Sequence, residues 1–231
     1  MSAELFRFDG VSGGYGEAIV VRGVSGTLDT GEVLGITGRN GVGKTTLLNL
    51  LLGYLPLRLG SVRLGGLEIG GLRPDRILRS GISYCPQERI VFDDLGVWEN
   101  LSLMHPARKP EDLAAYFDIF PRLRERLTQR AGTLSGGERK ILSFVRAMAE
   151  DLPIAVMDEP TEGVQQENID HMADLIRAAK AEGKALIVVE QNLAFLEAIS
   201  DRLMVMDQGR IVLEGRTGEV SRDRIIGHLQ V

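Results

Sequence analysis

The chain alternates between short, almost wholly apolar runs and longer stretches where apolar residues recur every three or four positions. The first kind is the signature of strands buried on both faces, and the second of amphipathic helices. Strands are predicted at Leu5–Val11, Ile19–Val24, Glu32–Thr37, Ser61–Leu64, Ile82–Cys85, Ile154–Met157, Ala185–Val189, Leu203–Met206 and Arg210–Leu213. Helices are predicted for the run after Gly43, which Gly53 can close, and for Pro74–Ser80, Gly136–Glu150, Gln165–Glu182 and Leu193–Ser200. Between Val97 and Arg130 the pattern is mostly helical, interrupted by Pro106, Pro110 and Pro121. Alternating strands and helices specify an α/β core with a mainly parallel sheet, and about 88–135 reads as an inserted helical subdomain. No repeat, low-complexity tract or linker divides the chain, so 1–231 is expected to be one domain, with its core in 1–87 and 136–231.

Composition narrows the classes. With 231 residues, 44% apolar and 26% charged, the chain can bury a sizeable core. A net charge of −5 argues against a nucleic-acid partner, which needs a basic face. The single cysteine, Cys85, excludes an internal disulfide and reads as a small core residue. His105, His171 and His228 share no metal-ligand spacing. No apolar run approaches the ~18 residues that cross a bilayer, and MSAELFRFDG lacks the apolar stretch of a signal peptide. A cytoplasmic location is expected, with docking to a membrane only through partners. Only five of the 27 basic residues are lysines, so each one is singled out.

The strongest chemical signal is Gly38-Arg39-Asn40-Gly41-Val42-Gly43-Lys44-Thr45-Thr46, which fits G-x-x-x-x-G-K-[ST] after an apolar strand and at the start of a helix. Its glycines let backbone N–H groups converge on phosphates, and the helix N-terminus adds favourable potential. Lys44 is expected to neutralise phosphate charge and the Thr45 hydroxyl to ligate Mg²⁺. A phosphate site of this kind needs a distant carboxylate, and Ile154-Ala155-Val156-Met157-Asp158-Glu159 supplies two acids at a strand end. Asp158 is expected beside Thr45 on the metal, and Glu159 one step further, polarising an attacking water. No Asn-Lys pair is present to read guanine, which removes the GTPase class; a small-molecule kinase remains open on these motifs alone. Leu134-Ser135-Gly136-Gly137-Glu138 reads as a second Gly-rich loop entering a helix. It either gives one chain two anion sites, or lets two chains meet head to tail, each completing the other's site.

With these segments in hand, the chain resembles the ATP-binding subunits of ABC transporters over essentially its whole length. The resemblance implies a P-loop ATPase core with a mainly parallel sheet, an antiparallel β-subdomain and an inserted helical subdomain. It implies that Leu134, Ser135, Gly136, Gly137 and Glu138 close over ATP held by the opposite subunit. In Tyr84-Cys85-Pro86-Gln87-Glu88 it places Gln87 at the Mg²⁺ or the attacking water, and in Ser12-Gly13-Gly14-Tyr15-Gly16 it places Tyr15 on the adenine. GRNGVGKTTLL, YCPQERIVFDDLGVWENL, LSGGERK, DEPTEGVQ and VVEQNLAFLE look like the branch that imports branched-chain and other hydrophobic amino acids, whose relatives import urea and short amides. The implied assembly contains membrane-spanning permease subunits, a second ATPase subunit and, indirectly, a periplasmic or extracellular substrate-binding protein. The ATPases would lie on the inner face of the membrane.

Two positions depart from the wider family. Gln191 stands where most members have a histidine touching the γ-phosphate, and Gln165 where most have an aspartate after the catalytic acid. Both changes are familiar in one of the two ATPase subunits of the amino-acid uptake branch, so a heterodimer is expected, with a competent homodimer as the alternative. ABC-type ATPases acting on DNA or ribosomes fit less well, because they need a long coiled-coil insertion or a second such domain. The residues from Phe92 to Leu101, with Trp98, read either as core or as a groove for a membrane partner.

Overall fold

The structure is a computed structural model and describes residues 4–229. The chain opens with strands β1 (Glu4–Gly13), β2 (Val21–Asp29) and β3 (Val33–Thr37), then enters helix α1 (Lys44–Leu51). Strands β4 (Leu59–Leu64) and β5 (Leu67–Glu68) form a hairpin, followed by α2 (Pro74–Arg79) and β6 (Ile82–Cys85). The central segment holds α3 (Val97–Ser102), a 3-10 turn at Pro110–Leu113, α4 (Ala114–Ile119) and α5 (Pro121–Glu125). Next come α6 (Gly136–Met148), β7 (Ile154–Asp158), α7 (Gln166–Ala181), β8 (Ala185–Val189) and α8 (Leu193–Ile199). Strands β9 (Arg202–Asp207) and β10 (Arg210–Arg216) and helix α9 (Arg222–Leu229) close the described chain.

Two sheets result. The larger has the order β10-β9-β3-β8-β7-β6, parallel from β9 to β6 with β10 antiparallel at the edge. The smaller, β2-β1-β4-β5, is antiparallel throughout. The parallel strands are apolar along their length because both of their faces are covered. Leu34, Ile36, Val156, Ile187, Val189, Met204 and Met206 point into a core shared with α1 and the antiparallel sheet. Their neighbours Val33, Ala155, Met157, Leu186, Val188, Leu203 and Val205 point the other way, into a core shared with α6, α7 and the central helices. The period-two alternation thus fills two cores at once.

Some boundaries differ from the sequence reading. The strand expected at Ile19–Val24 begins at Val21 and runs on to Asp29. The amides of Ala18 and Val20 are claimed by the carbonyls of Tyr15 and Gly13, which holds this stretch as a turn and leaves Ile19 about half exposed. Strand β5 and helix α9 were not anticipated; β5 has only two residues, both exposed. Between Val97 and Arg130 the prolines cut the helical pattern into short pieces, with Pro121 at the first turn of α5. These helices bury Leu113, Phe117, Phe120 and Leu123 in the same core as Leu142 and Phe144 of α6. Among the described residues, no helix is long and apolar enough to cross a membrane.

Candidate active site

Strand β3 delivers the chain to Gly38 at the carboxyl edge of the parallel sheet, where open α/β sheets bind ligands. The turn that follows is glycine-dependent at both ends. A Cβ on Gly38 would collide with the carbonyl of Met206, and Gly43, the residue before α1, sits at φ +108°. Arg39, Asn40 and Gly41 are exposed at the mouth, Val42 packs partly against the core, and Thr46 is buried in the first turn of α1. Lys44 is 5% exposed, and its ammonium donates to the carbonyls of Gly38 at 2.7 Å and Arg39 at 3.1 Å. Burial lowers its pKa, while Glu159 and Asp158 pull it back up.

Two strands away, β7 ends in the paired acids. Asp158 is fully buried, and neither of its carboxylate oxygens has a hydrogen-bond partner. Desolvation raises its pKa to about 6, opposed by the nearby Thr45 hydroxyl and by Lys140 and Lys44. Thr45 Oγ1 in turn donates to Gln87 Oε1 at 3.3 Å. An unpartnered buried carboxylate beside a threonine hydroxyl and an amide oxygen is an all-oxygen donor set, the kind that suits Mg²⁺.

Glu159 adopts φ +48°, a left-handed conformation costly for a residue with a side chain. That turn aims its carboxylate at three groups from different elements. Gln87 Nε2 donates to Oε2 at 2.9 Å, Gln191 Nε2 donates to Oε1 at 2.8 Å, and Lys44 Nζ lies 3.7 Å from Oε1. Asn40, Gly41, Gly43, Lys44, Thr45, Thr46, Gln87 and Glu159 line one cleft of about 260 Å³. Tyr15 is half exposed, not buried, and lines an adjoining cleft with Thr45, Asn49, Tyr54, Tyr84 and Gln87.

The Leu134–Glu138 segment is elsewhere. Ser135 caps α6: its Oγ accepts from the Glu138 amide at 3.3 Å, and Glu138 Oε2 accepts from the Ser135 amide at 3.0 Å. Burial opposes the Glu138 charge, but the Ser135 amide and hydroxyl and Arg126 outweigh it and hold the pKa below the ordinary value. Leu134 is buried; Ser135 and Gly136 are exposed, and Gly137 packs so close to Gly163 that a Cβ would sit 2.9 Å from its carbonyl. Ser135, Gly136, Gly137 and Glu138, with Arg126, Arg139 and the exposed Gln165, line a cleft of about 820 Å³ that shares no lining residue with the one around Lys44. A single chain therefore does not bring the two glycine-rich loops onto one ligand.

Sequence reasoning gave no role to three residues that join these parts. Lys140, two residues beyond Glu138, is buried and donates to the carbonyls of Glu159 at 2.9 Å and Gln87 at 3.3 Å. Glu190 is buried against the loops that carry Glu159 and Gln191. Its signal was an acid directly after the apolar strand Ala185–Val189, at the same sheet edge as Asp158. Arg146, at the far end of α6, donates to the carbonyl of Ile90 at 2.8 Å and lies over the Phe92 ring. The Phe92–Leu101 segment divides between its two readings. Val97 and Leu101 are core and Trp98 packs on it, whereas Phe92 is half exposed in an apolar groove with Tyr54, Tyr84, Leu103 and Met104. Cys85 is fully buried beside Ser143, and His105 is engaged by Glu150 at 2.6 Å.

Comparison with known proteins gives consistent matches. A family model described as ABC transporter matches residues 21–162. The high-affinity branched-chain amino acid transport ATP-binding protein BraG of Pseudomonas aeruginosa is 37% identical over 213 residues, covering 90% of this chain and 91% of that protein. The Nod factor export ATP-binding protein I of Burkholderia orbicola is 32% identical over 220 residues, 93% of this chain and 72% of that one. Among solved structures, MJ1267, an ATP-binding cassette of an ABC transporter, superposes with a TM-score of 0.82 at 28% identity over 98% of both chains.

Proposed function

The chain belongs to the ABC transporter family and is an ATPase, and from that premise we propose that it powers an importer of branched-chain or other hydrophobic amino acids. The observation that carries the hydrolytic part is the convergence of Lys44, Gln87 and Gln191 on Glu159, next to the unpartnered Asp158. The uptake part rests on the 37% identity to BraG over nearly the full length of both proteins.

In this reading the backbone amides of the Arg39–Gly43 turn cradle the ATP phosphates, and Lys44 leaves the loop carbonyls to pair with them. Tyr15 offers its exposed ring to the adenine. Thr45, Gln87 and Asp158 would hold Mg²⁺, which would supply positive charge against the phosphate oxygens. Glu159 accepts a proton from the attacking water. The two amide donors on its carboxylate, from Gln87 and Gln191, hold it in place for that task. Gln191 can donate to a γ-oxygen but stays neutral at every pH, unlike a histidine.

Residues Leu134 to Glu138 then serve the ATP of another chain across a head-to-tail pair, with Gln165 at the same interface. We propose an unlike ATPase subunit as the natural second member, because Gln191 and Gln165 make this chain's contribution to the two composite sites unequal to that of a histidine- and aspartate-bearing partner. The helical segment at about 88–135 forms a lever on the 1–87 and 136–231 core. The apolar groove around Phe92, Leu103 and Met104 supports docking on a membrane-spanning permease, with the chain then at the inner face of the membrane.

A second reading, the same ATP-driven role for an exported or different cargo, is favoured by the 32% identity to a Nod factor export subunit. The deciding experiment is reconstitution of the chain with its permease subunits in liposomes. ATP turnover that rises with an amino-acid-loaded binding protein, together with inward movement of labelled leucine, is the expected result. Turnover indifferent to every amino acid and binding protein, with outward movement of another cargo, would replace the uptake reading.

A further inference from the structure

One buried charged group at the sheet edge has no task so far: Glu190. It follows β8 directly and is 3% exposed. A carboxylate this deep is costly unless hydrogen bonds compensate it. Here four donors do so, and they come from two separate loops. Oε1 accepts the Thr161 amide at 2.8 Å and the Thr161 hydroxyl at 2.5 Å. Oε2 accepts the Gln191 amide at 2.9 Å and the Asn192 amide at 3.2 Å. The Glu190 amide donates to the Ile36 carbonyl at 3.0 Å, which fixes the residue to the end of β3 just before the phosphate loop.

The two loops are the ones that carry Glu159 and Gln191. Thr161 follows Glu159 by two residues, across the turn that the left-handed Glu159 initiates. Gln191 is itself exposed, and its Nε2 is held by Glu159 Oε1 at 2.8 Å. Downstream, Asn192 caps α8 by accepting the Phe195 amide at 3.1 Å and the Leu196 amide at 3.1 Å, which anchors the far side of the Gln191 turn to that helix. The backbone on which Gln191 swings is therefore held by Glu190 on one side and by the α8 cap on the other, and of the two only Glu190 also reaches the Thr161 turn.

We propose that Glu190 is a positioning residue for hydrolysis: its buried carboxylate clasps the Glu159–Thr161 turn to the Gln191–Asn192 turn and so sets the Gln191–Glu159 contact. The inference rests on the reading of Glu159 as the acceptor of the water proton. Glutamine cannot replace this clasp although it has the same shape. Its oxygen can serve one loop, but its NH₂ then faces the donors of the other. Releasing either loop displaces Glu159 or Gln191, and a misplacement of about 1 Å at a reacting centre costs on the order of a hundredfold in rate.

The test compares Glu190→Gln, Gln191→Ala and the double variant in the purified full chain, with its partner subunit where turnover requires it. Turnover number, Mg-ATP affinity by titration, and amide exchange at Gln191 and Asn192 are read on each. The expected result for Glu190→Gln is a fall in turnover of about tenfold or more with ATP affinity within about twofold. Both amides should exchange faster than in the unaltered chain. The double variant should be no slower than the slower single one, because Glu190 acts through Gln191. Unchanged turnover and unchanged exchange in Glu190→Gln, or losses that multiply in the double variant, would overturn the proposal. If Glu190→Gln does not fold, Thr161→Val removes one of the four donors and should move turnover and exchange in the same direction by less; no movement there also overturns it. If the unaltered chain turns over no ATP while the amides respond as expected, the clasp stands and the hydrolytic reading fails.

Discussion

The clefts around Lys44 and around Ser135 are built from similar sequence, a glycine-rich turn entering a helix, yet they are finished differently. The first is about 260 Å³ and internally committed: Lys44, Thr45, Gln87, Glu159 and Gln191 are tied to one another or to the loop. Beside them, the buried Asp158 has no hydrogen-bond partner on either carboxylate oxygen. The second is about 820 Å³, with Ser135 and Gly136 exposed and Arg126 and Arg139 on its wall. Ser135 spends its hydrogen bonds on capping its own helix. A cleft whose polar groups constrain each other can hold reacting atoms in place; one that is open and self-capped presents a surface to something outside the chain. Helix α6 joins the two, since Ser135 starts it and Lys140 reaches the carbonyls of Glu159 and Gln87.

The largest effect expected from this division is on turnover. Glu159→Gln keeps shape and an acceptor oxygen but not the base, so hydrolysis should fall by about 10²–10⁴ while Mg-ATP still binds. Steady-state turnover near that of the unaltered chain would remove Glu159 from the chemistry.

Next in size is the pH response of the nucleotide-free chain. The Asp158 pKa of about 6 lies above the usual value of 3.8, so the folded state holds a proton that the unfolded state has lost. Its contribution is fully present below pH 3.8 and is lost as pH rises through 6, a swing on the order of 3 kcal/mol. Asp158→Asn should therefore stabilise the nucleotide-free chain at pH 7.5 and have an effect shrinking towards zero near pH 4, as read by denaturant melts at both pH values. The same substitution should abolish stabilisation by Mg-ATP over ATP alone.

A smaller loss is expected for Lys44→Ala. It removes charge-assisted contacts worth about 1.5–3 kcal/mol each, which calorimetry should read as a roughly ten- to hundredfold weaker ATP. The smallest is Tyr15→Ala, where loss of one stacking contact should cost about 0.5–1.5 kcal/mol for ATP and nothing for tripolyphosphate. Equal losses for both ligands would mean that Tyr15 does not meet the base.

What the sequence disclosed tracks how local its causes are. Four apolar residues followed by Asp158 and Glu159 identify a doubly buried strand ending at the ligand edge, because the strand's own neighbours dictate that pattern. The phosphate turn is legible for the same reason: Gly43 must adopt φ +108° and Gly38 must lie against Met206. The place of Glu190 after an apolar strand was legible, but its role was not, because its partners are two loops about thirty positions apart that the β7–β8 pairing brings together. The start of β2 was misread because apolarity at Ile19 says nothing about which carbonyls claim the Ala18 and Val20 amides. Strand β5 is too short and too exposed to carry any periodicity.

The central claim, that chemistry is assembled within this chain while the Ser135 cleft serves another chain's ATP, has one direct measurement. A pair is assembled from this chain carrying Lys44→Ala and a partner chain, identical or unlike, that is intact at its phosphate loop and broken at its own equivalent of Ser135 by an Arg substitution. Head to tail, both lesions fall in one composite site and the other keeps two sound halves, so the account predicts that a substantial share of ATP turnover survives. If each chain instead used both clefts on its own nucleotide, both sites would be broken, and abolished turnover in this pair would contradict the account.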